Sequence, residues 1–202
     1  RVIQLGEHPS KVFNVGGMGV DSIKNIKLLP TKELEDSLGL KFGEKNLLIA
    51  FHPITLEETS SSINQLNELL FALEELYNFT LIFTIPNADT SGRKLAEIIQ
   101  KFTKHKKNCY LFKSLGHLRF LSCLSKVDAI IGNSSSGLLE APTFKTGTIN
   151  IGDRQKGRLK ADSVIDCEAK KDSISKALRK LDTEEYKKVL KYDNILLTHH
   201  KR

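Results

Sequence analysis

Short, nearly unbroken apolar runs recur along this chain, each followed by a segment with helical spacing. That alternation constrains the fold more than any other feature. The runs are "KVFNVG" at 11–16, "NLLIAF" at 46–51, "FTLIFTIP" at 79–86, "NCYLFK" at 108–113, "KVDAIIG" at 126–132, "GTINIG" at 147–152 and "DSVIDC" at 162–167. Strands that are apolar at successive positions need cover on both faces, which is the condition of a parallel sheet under helices. Between the runs, Ile63, Leu66, Leu70, Leu73 and Tyr77 keep one helical face, as do Leu95, Ile98, Ile99 and Phe102 behind a capping Asp89. "HLRFLSCLSK" repeats leucine at 118, 121 and 124, and Ile174, Ala177, Leu178 and Leu181 form an amphipathic set after Asp172. Asp182 with Glu185 has capping-box spacing and opens one more helix. The repeated β–α order predicts an α/β fold, a Rossmann-like doubly wound parallel sheet with right-handed crossovers.

A chain of 202 residues, 40% of them hydrophobic, supplies one sizeable core or part of a larger protein. The formal charge of +7 favours anionic partners without choosing among nucleic acid, acidic lipid and phosphorylated metabolite. The cations are scattered through short groups such as "KHKK" and "EAKK", with no aromatic-interleaved basic motif, so nucleic acid is not the expected partner. No run reaches the length of a membrane span, and "RVIQLGEHPSK" has no secretory apolar region. Cys109, Cys123 and Cys167 are far apart, sit in or beside apolar runs and form no CxxC pair. Buried free thiols in a reducing cytoplasm are expected, without a thiolate metal site. No internal repeat or low-complexity segment is present. The segment "KVFNVGGMGVDSIKNIKLLP" reads as a linker, and "KYDNILLTHHKR" has no clear period.

Open parallel sheets gather ligands beyond the carboxyl ends of their strands. On that rule the residues following the apolar runs are the candidates for a site. His52 and Pro53 follow the first central run, and Pro86, Asn87 and Asp89 the next. Lys113, Ser114 and Leu115 come after "CYLF", then "GNSSSG" after "VDAII", and Gly152, Asp153 and Arg154 after "TINI". Five strands would thus deliver polar residues to one rim. In "IIGNSSSGLLEAPTFKTGTINIGDRQKGR", spanning 130–158, the serine loop enters a helical segment whose first N–H groups and dipole favour an anion. An ordinary helix cap is the alternative. Glu140 could accept from ribose hydroxyls or simply complement the dipole. Arg154 directly after an apolar run calls for a partner such as phosphate. His52 is either structural or, beside a phosphate, an acid, base or charge stabiliser. "GGMGVDS" lacks the third glycine of a dinucleotide fingerprint, because Ser22 stands there, and no P-loop pattern occurs. His199 and His200 have no metal-ligating companions and are treated as incidental.

The ordered set "HP", "PNADTSGR", "FKSLGHLRFL", the 130–158 segment and "SVID" resembles the UDP-N-acetylglucosamine 2-epimerases, most closely their hydrolysing branch in sialic acid and nonulosonate synthesis. The resemblance runs from about Arg1 to about Leu190. It implies one half of a glycosyltransferase-B-type two-domain fold. Residues 1–24 would be the end of an amino-terminal domain and linker, 25–190 the carboxyl-terminal UDP-binding domain and 191–202 an atypical tail. It further implies that Ser134 and Ser135 hold the diphosphate, Glu140 the ribose, and that Arg154, Asn87 and Leu115 face the UDP-sugar. His52 would lie near diphosphate and sugar and assist catalysis. No nicotinamide, other cofactor or metal is implied. Expected partners are the UDP-sugar, the other domain and a second copy in a homo-oligomer, with no nucleic acid and no membrane. The family's proton-transfer acids belong largely to the amino-terminal domain, so a truncated or excised half with little turnover is expected. The substrate could be UDP-N-acetylglucosamine or a 2,4-diacetamido-trideoxy relative. A glycosyltransferase domain and a noncatalytic nucleotide-binding module stay open as alternatives.

Overall fold

A computed structural model of the chain describes residues 2–13, 20, 23, 25–54, 59–86 and 90–192. The elements are α1 (Thr31–Leu38), β1 (Lys45–Ala50), α2 (Thr59–Leu73), β2 (Phe79–Thr84), α3 (Thr90–Thr103), β3 (Cys109–Phe112) and α4 (Gly116–Leu124). They continue as β4 (Ala129–Gly132), α5 (Ser136–Leu139), a 3-10 turn at Ala141–Phe144, β5 (Gly147–Ile151), β6 (Val164–Cys167), α6 (Lys171–Leu181) and α7 (Glu184–Tyr192). The strands form a 6-stranded sheet in the order β3-β2-β1-β4-β5-β6, every neighbouring pair parallel.

The central runs, in β1, β2, β4 and β5, are buried on both faces as their composition requires, whereas the edge strands β3 and β6 are only partly buried. Leu47, Ile49, Leu81, Phe83, Ala129, Ile131 and Ile149 pack on one side with Leu66, Leu69 and Leu73 of α2, Leu95 and Ile99 of α3, and Ile174 and Ala177 of α6. Leu48, Ala50, Ile82 and Ile130 turn to the other side, against Leu34 and Leu38 of α1 and Cys123 and Leu124 of α4. A sheet clad on both faces leaves its ends as the places for polar chemistry. Chain order runs outward from β1 through β2 to β3, then returns to β4 on the opposite flank of β1. The order in which the chain adds strands therefore reverses at the β1/β4 pair, and a crevice opens beyond their carboxyl ends. Ala50 and Gly132 are register partners at that point.

Several expected local features differ. Lys11 closes a 3-10 turn rather than opening a strand, and the rest of "KVFNVG" from Asn14 onward lies outside the described residues, as does Asp89. The α2 helix stops at Leu73, leaving Tyr77 80% exposed, because tight turns follow before β2. Thr183, not Asp182, caps α7: its Oγ1 accepts from the Tyr186 N–H at 3.3 Å, while Asp182 pairs with Lys45 at 2.7 Å. Asp172 sits in the first turn of α6 and Lys170 occupies its cap position. The helix expected after the serine loop is a single turn, α5, since Pro142 begins a 3-10 turn in its place. The helix α1 was not among the expected elements.

All three cysteines are free, but only Cys123 is buried as expected, Cys109 and Cys167 being half-buried; desolvation pushes Cys123 up to about 12 and Cys109 and Cys167 up to about 11.

Candidate nucleotide-binding site

A cavity of about 570 Å³ occupies the crevice. Its wall comes from the ends of the first four strands: Ala50 and His52 after β1, Thr84 to Pro86 at β2, Lys113 to Leu115 after β3, and Ser134, Ser136 and Glu140 after β4. Arg93 and His117 add polar groups from α3 and α4. That size lies within the roughly 300–1,000 Å³ usual for small-molecule sites. The fifth expected contributor departs from the pattern. Gly152 and Asp153 face a separate cavity of about 850 Å³ along β5 and β6.

The β4 end is shaped by Gly132, whose φ of 139° is a conformation that L side chains rarely adopt. It lies so close to β1 that an added Cβ would stand 2.1 Å from the Ala50 carbonyl oxygen. The chain then turns into the serines. Ser136 N–H donates to Ser134 Oγ at 3.3 Å, and Leu138 and Leu139 N–H donate to the Ser135 carbonyl at 3.0 Å. The N–H groups of Ser134 and Ser135 find no acceptor among the described residues. One turn of helix sums few peptide dipoles, so local donors, more than a macrodipole, are what this loop offers an anion.

Glu140, half-buried, closes the short helix and lines the cavity. Its Oε2 is buried with no hydrogen-bond partner among the described residues. Buried acceptors ordinarily have partners, so this oxygen is suited to a ligand donor such as a hydroxyl. Leu115 is 2% exposed and forms apolar wall, its carbonyl accepting from Arg119 Nε at 2.8 Å. Arg154 does not line the cavity. It reaches the back of the serine loop, where Nη1 donates to the Asn133 carbonyl at 2.9 Å. Desolvation first, and the neighbouring Arg158 charge second, press its pKa below the usual arginine value. Ser135 occupies the cap position of α5 and is not part of the cavity wall. Asn87 lies outside the described residues. The structure thus brings His52, Leu115, Ser134 and Glu140 to one cavity and ties Arg154 to its rear.

Asn133 and Gln155 are part of the site although their sequence positions did not point to them individually. Asn133 is 0% exposed and bonded to both main-chain groups of His52, and Gln155, 4% exposed, donates Nε2 to the Asn133 carbonyl at 2.7 Å. The available signal was an amide residue placed between the last residue of a buried strand and a polar loop, where unpaired main-chain groups need a partner.

A doubly wound sheet with a ligand-sized crevice at its strand-order reversal, walled by small polar loops and a half-buried glutamate, defines an α/β domain of the Rossmann-like class. The chain belongs to the UDP-N-acetylglucosamine 2-epimerase family, in its hydrolysing branch. The family model described as "UDP-N-acetylglucosamine 2-epimerase" matches residues 1–199. The chain is 42% identical over 188 residues to a GDP/UDP-N,N'-diacetylbacillosamine 2-epimerase (hydrolyzing) of Campylobacter jejuni, covering 93% of this chain and 48% of that protein. It is 40% identical to the polysialic acid biosynthesis protein P7 of Escherichia coli, covering 92% and 47% of the two. The chain therefore spans about half the length of the curated relatives it matches. Among solved structures, the Methanocaldococcus jannaschii UDP-GlcNAc 2-epimerase in complex with UDP-GlcNAc and UDP aligns with a TM-score of 0.69 at 20% identity, over 91% of this chain and 51% of that one. The six-stranded sheet thus corresponds to half of a two-domain epimerase.

Proposed function

We propose that this chain is the UDP-binding half of a hydrolysing epimerase acting on a UDP-activated 2-acetamido sugar. The observation that carries the proposal is the crevice cavity itself. It joins the Ser134 N–H and the buried Glu140 Oε2, both without a hydrogen-bond partner among the described residues, and the His52 side chain within one ligand-sized space. The diphosphate lies against the serine loop, with Ser134 as its main hydroxyl contact and Ser135 contributing its main-chain N–H. Glu140 Oε2 accepts from a ribose hydroxyl, and Leu115 forms the apolar wall for the nucleoside, with Asn87 facing the same ligand. Arg154 supplies positive charge behind the loop, and His52 reaches the diphosphate and sugar.

In the proposed reaction a base takes the proton from sugar C2 while the C1–O bond to UDP breaks, so C1 and C2 become doubly bonded in a 2-acetamido glycal. Water then adds a hydroxyl at C1 and a proton at C2 on the opposite face, releasing the free 2-epimer beside UDP. Charge grows on the departing diphosphate, and preorganised N–H donors, serine hydroxyls and the Arg154 guanidinium favour that state over the ground state. His52 acts there as acid or charge stabiliser. The base is supplied by the half of the enzyme outside this sequence, so the chain binds UDP and turns over little by itself.

Two sugars fit the relatives' names. UDP-N-acetylglucosamine, giving N-acetylmannosamine for sialic acid-type synthesis, suits the family description. UDP-2,4-diacetamido-2,4,6-trideoxyglucose is favoured by the likeness to the Campylobacter jejuni protein. Calorimetric titration with UDP tests the shared part. The native chain should bind, and Ser134→Ala, Glu140→Ala and Arg154→Ala should each weaken binding about ten- to a hundred-fold, as loss of a charge-assisted contact does. Unchanged binding in all three would remove the cradle. Offering each UDP-sugar to the chain combined with its amino-terminal half, and following UDP release, decides the sugar.

A further inference from the structure

Asn133 uses each of its polar groups within the crevice. Its main-chain N–H donates to the Ala50 carbonyl at 3.2 Å. Side-chain Oδ1 accepts from the His52 N–H at 2.7 Å, and Nδ2 donates to the His52 carbonyl at 2.8 Å. The Asn133 carbonyl accepts from Arg154 Nη1 at 2.9 Å and from Gln155 Nε2 at 2.7 Å. The regular ladder between β1 and β4 ends with the Ala50–Gly132 pair. Beyond it the Asn133 side chain, and not a further main-chain register pair, bonds the main-chain N–H and carbonyl of His52. A carboxamide carries a donor and an acceptor in the same plane as a peptide group, so the Asn133 side chain continues the ladder where the main chain cannot. Aspartate could not donate to the His52 carbonyl, and leucine could do neither.

We infer that Asn133 is a positioning residue: it locks His52 on β1, the serine loop after β4 and Arg154 after β5 into one register, so that the diphosphate cradle and the histidine move as a unit. Three strand ends that share no covalent neighbour meet at this one buried side chain and its carbonyl. The inference rests on the proposed UDP site for its functional meaning and on the hydrogen bonds alone for its mechanical content. Asn133 is buried and does not line the cavity, so it acts through His52, Ser134 and Arg154.

The test uses the ¹⁵N-labelled full chain. In the native protein, titration with UDP should move the His52 main-chain amide and the Asn133 side-chain amide along curves with a common Kd. In Asn133→Ala the His52 amide should exchange with solvent at least tenfold faster and the Kd for UDP should rise at least tenfold, while amides of β2 from Leu81 to Phe83 keep native protection. Unaltered His52 protection, or UDP binding within twofold of native, overturns the inference. If Asn133→Ala loses protection throughout the sheet, the native titration decides. Coincident shifts sustain the coupling, and an Asn133 side-chain amide that stays still while the Ser134 amide moves overturns it. A native chain that takes up no UDP overturns the proposed function alone, because exchange at His52 in Asn133→Ala still reports on the clamp.

Discussion

Replacing Gly132 by alanine puts the crevice geometry to a quantitative test. The new Cβ would stand 2.1 Å from the Ala50 carbonyl oxygen and 2.7 Å from its carbon, both main-chain atoms of the central strand. No side-chain rotation can relieve contact with main chain, so β1 and β4 must part at the point where the cavity opens. The φ of 139° adds backbone strain. Strain at such a position costs about 1–3 kcal/mol, and forcing atoms into a packed interior costs a further ~1–3 kcal/mol. The sum, roughly 2–6 kcal/mol, is a large share of the ~5–15 kcal/mol by which a domain is stable. At about 2–4 °C per kcal/mol for a chain of this size, the melting temperature should fall by roughly 5–20 °C. Gly157 is the control: its φ is 77°, but nothing lies within 4 Å of an added Cβ. Gly157→Ala should cost about 1–3 kcal/mol, from backbone strain alone. Thermal unfolding followed by far-ultraviolet circular dichroism measures both. A Gly132→Ala chain that melts within about 2 °C of native, or no lower than Gly157→Ala, would falsify the close-approach reasoning.

Capping of α7 separates two neighbours by urea denaturation: Thr183→Ala should lose about 1 kcal/mol, as a lost N-cap does, whereas Asp182→Ala should lose only ~0–1 kcal/mol because its pair with Lys45 is exposed. Equal losses, or the reverse order, would return the cap to Asp182. Cys123 should make stability fall in alkali. Its thiol ionises ordinarily near 9 but only at about 12 in the fold, so between those values the unfolded chain has released a proton that the folded chain retains. Unfolding is then favoured as pH rises, by up to about 1.4 kcal/mol per pH unit for this thiol. Urea midpoints between pH 9 and 10.5 should fall less steeply in Cys123→Ala than in the native chain, and identical slopes would contradict the burial of this thiol.

Much of the scaffold could be read before any coordinates. Runs such as "NLLIAF" and "FTLIFTIP" are apolar at consecutive positions, which only a sheet covered on both faces tolerates, and the helix spacing between them demanded parallel crossovers. The rim rule also picked out His52, Leu115 and Ser134, because strand ends are local sequence features, and Glu140 was legible from its place on the helical segment after the serine loop. Less legible were the boundaries set by competition between neighbours. Asp182 has the spacing of a cap, but Lys45, distant in sequence, holds its carboxylate, and Thr183 takes the capping position. The serine loop promised a helix, yet Pro142 allows it one turn.

What the sequence determined by itself was therefore whatever depends on near neighbours: strand and helix periodicity, the class of sheet, and which short loops lie at its carboxyl rim. Tertiary structure alone decided the order of strands. That order puts β4 beside β1, gives Asn133 two main-chain partners on His52, sends Arg154 to the rear of the serine loop and turns Gly152 toward a different cavity. The physical reason is that hydrogen bonds and close approaches between β1 and β4 join residues about 80 positions apart. No local pattern encodes such a pairing. It exists only once the intervening strands and helices have packed and left those two strand ends facing one another.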